Sequence, residues 1–543
     1  MKGDEDENLL MTKLRQPTNK ELISLAKASH FSLTPEELAV FQSSIGGILH
    51  SYNRLDRLAR TLGASESRSV SATLSSRKGH RPTREENPLG AWAWKCSIRV
   101  RRPTGRSSFA GKLEGKRIAI KDNVAVARIP MQNGSPMLRG FIPSMDATIV
   151  SRILEEGGEI LGKSNCENLC VSGGSHTSYP EPVRNPRNPK YMAGGSSSGS
   201  AALLAAGDVD MAIGGDQGGS IRLPASWCGV VGLKPTTGLV PYTGIMGMDP
   251  LLDHTGPMAN KVRDVALLLQ VIAGRDGYDP RQLNTPPKLP DYVRELNKNK
   301  GATGLKIGIV EEGFNWPGLS ERDVDKGVKE SAYSFGEIGA KVSEISIPAH
   351  RDARHVWAGV GMEGIWHNMT RDNGLEHAWC GPEDLQLVER WARALKESGD
   401  QMAENAKLIS LAGNYVASTY NGRYYALARN LRRSLIRAYD NFFEKFDLLA
   451  MPTTPQKAQP FDGAGGRRNG RSKKRMSLKR ELDLTGINMN NTCAFDVTGH
   501  PAISLPCGTS QGLPLGLMLV GRYYEETTIL CAASAFEKKS MAK

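Results

Sequence analysis

Three segments carry residues whose types and spacing could do chemistry. Two are rich in glycine and serine: Gly194-Gly195-Ser196-Ser197-Ser198-Gly199-Ser200, and Gly214-Gly215-Asp216-Gln217-Gly218-Gly219-Ser220 after an apolar stretch of small residues. The third is Lys121, which follows Arg117-Ile118-Ala119-Ile120 and precedes Asp122-Asn123. Gly/Ser loops at a helix start present consecutive backbone N–H groups, which attract an anion or a developing negative charge. Glycine lets a reacting group come close to that backbone. A lysine leaving the end of a buried strand stands where desolvation favours the neutral amine, a usable base.

Several chemistries compete for these residues. A nucleotide site is disfavoured, because neither loop supplies the Lys-Ser/Thr of a P-loop or a GxGxxG after a strand. Gly195-Ser196-Ser197-Ser198-Gly199 satisfies GxSxG with Ser197 at its centre, but residues 188–194 hold Pro189 and the small pair Ala193-Gly194 where a nucleophile elbow needs a buried strand. A serine, histidine and aspartate set using His500 and Asp496 stays open in principle. The ten histidines form neither HExxH nor a Cys/His finger. Cys166 and Cys170 lie four apart on an expected helix without a third ligand at suitable spacing, so they read as helix packing rather than metal ligands. Asp216 and Arg222 read as a structural ion pair holding the second loop.

Taken together the three segments resemble the amidase signature family, in which a GGSS(G/S)GS loop, a D(x)GGSxRxPA segment and a lysine in a (V/I)KD context recur. Here these are residues 194–200, residues 216–225 and Ile120-Lys121-Asp122, and the match continues through Cys228-Gly229-Val230-Val231-Gly232-Leu233-Lys234-Pro235-Thr236. Gln217, Val240-Pro241-Tyr242-Thr243-Gly244 and Phe495-Asp496-Val497-Thr498-Gly499-His500-Pro501 resemble the broad-specificity acylamide amidases associated with nitrile degradation. Ser198 departs from the family, in which glycine is commoner at that position. The resemblance covers residues 20–538. It implies a Ser-cisSer-Lys triad of Ser220, Ser196 and Lys121, with the two serines 24 positions apart.

By the same resemblance, Ser220 attacks the amide carbonyl, Ser196 relays the proton from within a cis peptide, and Lys121 receives it. Backbone N–H groups of Gln217, Gly218, Gly219 and Ser220 form the oxyanion hole. Ser172-Gly173-Gly174-Ser175 and Met489 approach the acyl group. The implied reaction is hydrolysis of a primary carboxamide to acid and ammonia, with no metal or organic cofactor. Alternatives are an amide hydrolase or acyl transferase of specialised metabolism, of the indole acetamide type, or the glutaminase subunit of an amidotransferase. The last is disfavoured by Gln217 and by the helical N-terminus.

The elements that must position these groups read as an α/β fold, a mixed twisted sheet covered by helices. Strands are expected at residues 117–120, 159–162, 211–213, 305–310, 341–347, 446–451, 502–506 and 515–520, and helices at 147–156, 323–338 and from Glu526 on. Residues 1–62 form a small helical unit, in which Thr34-Pro35-Glu36-Glu37 caps a helix whose apolar face (Leu38, Phe41, Ile45, Ile48, Leu49, Tyr52, Leu55) is buried. Residues 63–88 read as a linker and 89–543 as the catalytic domain. By resemblance the helical unit supports a homodimer.

The 543 residues carry a net charge of +13, but eight basic and no acidic residues fall between Arg467 and Arg480. The basicity is therefore local, and residues 463–480, which lack aromatic side chains for base stacking, read as a basic surface insertion rather than a nucleic-acid site. The acidic start and the lack of a long apolar run argue against a secretory signal or a membrane span. Eight scattered cysteines without a CxxC pair fit a cytoplasmic protein with reduced thiols.

Overall fold

The computed structural model describes residues 14–74, 77–99, 111–298, 301–375, 383–461, 477–486 and 488–541, with side chains over 59–74 excepted. It divides into two units, residues 1–76 and 77–543.

The first unit holds helices Asn19–Ala28 and Pro35–Leu74. Both start on reciprocal caps: Thr18 with Glu21, and Thr34 with Glu37, where the Glu37 N–H donates to Thr34 Oγ1 at 3.2 Å and the Thr34 N–H to Glu37 at 2.7 Å. Two expectations are corrected. The helix runs on to Leu74, through half of the expected linker at 63–88, and its apolar face is not buried. Phe41, Ile48, Tyr52 and Leu55 are 42–59% exposed. Within this unit the helical period is real, but the ten-residue partner helix is too short to cover the stripe.

The second unit is built on a mixed sheet of 12 strands among the described residues. Its order is Gly79–His80, Trp92–Ile98, Glu159–Ser164, Arg117–Lys121, Met211–Asp216, His254–Ala259, Val231–Lys234, Ala502–Ser510, Leu513–Gly521, Leu448–Pro452, Lys306–Val310 and Lys341–Ile345. Glu159–Ser164, Arg117–Lys121 and Met211–Asp216 run parallel, in the register Lys121 opposite Ser164 and Ile118 opposite Met211. The remaining pairs toward Leu513–Gly521 are antiparallel. These central strands are buried on both faces, so they read as continuous apolar runs without alternation. Helices Thr148–Glu155, Ser198–Ala206, Val262–Ile272, Arg322–Tyr333 and Glu526–Met541 cover the sheet. No described helix is long and apolar enough to cross a membrane.

Four strands of this sheet went unread in the sequence: Gly79–His80, Trp92–Ile98, Val231–Lys234 and His254–Ala259. So did the helices Ala349–Ile365, Leu385–Ser398, Glu404–Tyr420 and Arg423–Phe443. Most of the basic insertion lies outside the described residues; its end, expected as loop, enters helix Leu478–Asp483, capped by Ser477.

His350, buried on helix Ala349–Ile365, has Nδ1 2.7 Å from the Tyr439 hydroxyl and Nε2 3.1 Å from Asn491 Oδ1. Burial, only partly offset by Asn491, lowers its pKa to about 4. The unfolded chain takes up this proton near pH 6.5 while the folded chain refuses it, so the contribution of neutral His350 is present above that value and is lost as pH falls toward 4. In urea unfolding at a series of pH values, the native protein should lose stability relative to His350→Asn across that window, by about 1.4 kcal/mol for each pH unit that separates the folded and unfolded pKa values. A difference independent of pH would contradict this.

Candidate active site

The carboxyl ends of the parallel strands Arg117–Lys121, Glu159–Ser164 and Met211–Asp216 meet at one place, the usual location of a site in an open α/β sheet. Lys121 is the last residue of its strand and fully buried; its Nζ lies 2.8 Å from Ser196 Oγ and donates to Gly215 O at 3.3 Å. Among the described residues Lys121 has no ion pair. Lys163, one strand over, instead pairs with Asp122 at 3.2 Å, so the neighbouring carboxylate is taken by another amine.

Ser196 is fully buried, and the Gly195-Ser196 peptide is cis, as the resemblance implies. The peptide sits against the 172–174 loop, where the Gly195 N–H donates to Gly173 O at 3.0 Å. A β-carbon on Gly195 would stand 2.3 Å from Gly174 O, so only glycine fits there. Ser198 opens helix Ser198–Ala206 without disturbing it. Ser197, the centre of the GxSxG match, bonds Gly215 through its hydroxyl at 3.1 Å. His500 bonds Thr498 and Asp440, and Asp496 bonds Arg222, so the open Ser-His-Asp alternative has no assembled set. The segment before this loop is a strand after all, Asn188–Met192, but one of a half-exposed two-stranded hairpin.

The second loop follows strand Met211–Asp216. All four carbonyls from Gln217 to Ser220 are taken: by Trp357 Nε1 at 2.7 Å, Thr492 Oγ1 at 2.6 Å, the Leu223 N–H at 2.7 Å and the Ser197 N–H at 3.2 Å. Among the described residues the N–H groups of Gln217, Gly218, Gly219 and Ser220 have no acceptor. Gly219 has φ +138°, and a β-carbon there would lie 2.3 Å from Thr492 Oγ1. The Ser220 carbonyl bond to Ser197 brings Ser220 beside the Ser196 turn, while its own hydroxyl bonds no described residue. Met489 stands against Gly218, with Sδ 3.1 Å from where a β-carbon would be.

A buried ion cluster fixes the loop at its base. Arg222 donates to both oxygens of Asp216 at 2.9 Å and to Asp496 at 2.9 Å, and none of the three reaches water. Burial would push Asp216 up, but the guanidinium holds it well below the usual carboxylate range. Burial and the facing charge of Asp216 push Asp496 well up. Burial brings nearby Lys234 down to about 7.

One neighbour was misread. Cys166 and Cys170 do not share an α-helix: Asn168–Cys170 is a single tight turn with Leu169 and Cys170 at positive φ. The turn sets the Cys170 thiol near Ser196 and Lys121, where it donates to Asn133 Oδ1 at 3.1 Å. Burial would raise this thiol, but its contact with the Cys166 thiol lowers it. Trp357, Thr492 and Cys170 had no local signal, since each reaches the site through tertiary packing alone.

The family model for amidases matches residues 99–530. The chain belongs to the amidase signature family. Over 529 residues it is 38% identical to an enantioselective amidase of Rhodococcus rhodochrous, spanning 97% of this chain and 96% of that protein. It is 35% identical over 438 residues to a glutamyl-tRNA(Gln) amidotransferase subunit of Methanosarcina mazei, spanning 80% and 86%. Among solved structures, the peptide amidase of Stenotrophomonas maltophilia superposes with a TM-score of 0.64 at 28% identity, over 80% of this chain and 84% of that one. A bacterial aryl acylamidase shares the fold at a TM-score of 0.66 and 23% identity, over 97% and 96%. The protein is an amide-hydrolysing enzyme on an α/β fold.

In this amidase the ion cluster should be costly to break. Arg222→Met leaves the buried Asp216 carboxylate without its partner, and urea unfolding should show a loss of about 3 to 5 kcal/mol. A loss under about 1 kcal/mol would show that the cluster does not hold the loop.

Proposed function

We propose that this amidase hydrolyses primary carboxamides to a carboxylic acid and ammonia through an acyl-enzyme on Ser220. The observation that carries the reading is the contact between Lys121 and Ser196 beside a loop whose four N–H groups are all unclaimed among the described residues. Lys121 takes the Ser196 proton while Ser196 takes that of Ser220. The Ser220 oxygen adds to the amide carbon, and the negative charge that develops on the carbonyl oxygen is met by N–H groups of Gln217, Gly218, Gly219 and Ser220. Collapse of the adduct breaks the C–N bond, and the relay returns one proton to the departing nitrogen, which leaves as ammonia. Water, deprotonated by the same relay, adds to the ester and releases the acid. The Ser220 hydroxyl bonds no described residue, and contacts between nucleophile and base are often loose before substrate binds.

Ser172, Gly173, Gly174 and Met489 are proposed to border the acyl group. The reading calls for no cofactor. The exposed apolar stripe of helix Pro35–Leu74 supports a homodimer, and the seven cysteines found free among the described residues support a cytoplasmic setting.

Ammonia release from aliphatic, aromatic and indolic primary amides, with glutamine included, tests the reading. Ser220→Ala and Lys121→Ala should each lower turnover by about 10⁴-fold or more at an unchanged melting temperature. Turnover within tenfold of the native protein in either variant would sink the triad.

A further inference from the structure

Each peptide unit is a rigid plane with its N–H opposite its C=O. The peptides joining Gln217 to Ser220 are trans, so a donor that fixes one carbonyl also aims the N–H of the following residue. The carbonyls of Gly219 and Ser220 are fixed by backbone N–H groups, that of Leu223 from the same turn and that of Ser197 from the first Gly/Ser loop. Those of Gln217 and Gly218 are fixed by side chains from elsewhere: the Trp357 indole from helix Ala349–Ile365, and the Thr492 hydroxyl just ahead of helix Cys493–Thr498.

We infer that Trp357 and Thr492 are positioning residues for amide hydrolysis, Trp357 aiming the Gly218 N–H and Thr492 the Gly219 N–H at the carbonyl oxygen as it becomes an anion. The inference rests on the oxyanion role proposed above for this loop.

Three further features fit this assignment. Both bonds are buried, where a carbonyl deprived of its donor has no water to turn to and the peptide is drawn to rotate. Trp357 also stands against the loop, with Nε1 and Cζ2 3.4 Å from the position of a Gly218 β-carbon, so the ring keeps water from the carbonyl that the N–H engages. Thr492 is itself held, since Arg222 donates to its carbonyl at 2.9 Å, which links it to the ion cluster. With φ at +138°, Gly219 can place its N–H where other residues rarely do, and glycine's lack of side-chain constraint makes an external clamp necessary.

The donors act on charge that exists only in the transition state, so their removal should lower kcat and leave KM almost unmoved. Trp357→Phe keeps the ring and deletes the N–H; Thr492→Val keeps the shape and deletes the hydroxyl; Thr492→Ser keeps the hydroxyl. The assay is steady-state hydrolysis of benzamide together with inhibition by phenylboronic acid, whose tetrahedral serine adduct carries the anion. Trp357→Phe and Thr492→Val should each lower kcat by about five- to tenfold, raise the boronate Ki by a matching factor and change KM by less than about twofold. Thr492→Ser should restore both quantities.

Unchanged kcat and Ki in folded Trp357→Phe and Thr492→Val would overturn the inference. So would a KM rise that accounts for the whole effect, or a Thr492→Ser as impaired as Thr492→Val, because either marks packing alone. If Trp357→Phe fails to fold, the two Thr492 variants decide. Ser220→Ala in the same assay separates the two levels: activity retained there removes the acyl-enzyme reading, whereas a dead Ser220→Ala beside unaffected Trp357→Phe and Thr492→Val removes only the positioning role.

Discussion

A guanidinium without access to water, shared between two carboxylates, is the interaction on which the site depends. Arg222 bonds Asp216 at the end of one strand and Asp496 on a helix more than 270 residues later. Buried ion pairs of this kind add little net stability over an apolar core, yet breaking one is costly. What the cluster provides is geometry. It fixes where the chain leaves strand Met211–Asp216, and the next four residues turn with every carbonyl outward. The Arg222 bond to the Thr492 carbonyl extends the same constraint to the donor that holds Gly218.

The second requirement is a buried amine without a carboxylate partner. Two lysines lie at or next to the ends of neighbouring strands, and they differ in company: Lys163 is paired with Asp122, whereas Lys121 faces a hydroxyl and a carbonyl. The sheet therefore sets a paired lysine beside an unpaired one, and the proposed relay uses the second. The Cys170 thiol completes the immediate surroundings of Lys121 and Ser196, brought there by a turn with two residues at positive φ.

Much of this was legible in the sequence because the site is local. Lys121 ends a short apolar run, the two Gly/Ser loops bracket one helix and one strand, and Asp216 and Arg222 lie on one loop. Eight of the twelve strands of the sheet could be found as apolar runs bounded by turns, with ends displaced by a few residues. What stayed hidden depends on contacts across the chain. The Trp357 and Thr492 bonds join residues 140 and 274 positions apart from their acceptors, and no periodicity signals them. The stripe on helix Pro35–Leu74 shows the opposite failure: helical spacing marks an apolar face, but whether a partner covers it is not encoded in the period.

The triad is tested most directly by reaction with a fluorophosphonate, which phosphonylates an activated serine with loss of fluoride, followed by peptide mapping. One adduct per chain is predicted, on Ser220, with labelling abolished in Lys121→Ala. An adduct on Ser196, Ser197 or any other side chain, or labelling of Ser220 that proceeds unchanged without Lys121, would contradict the proposed chemistry.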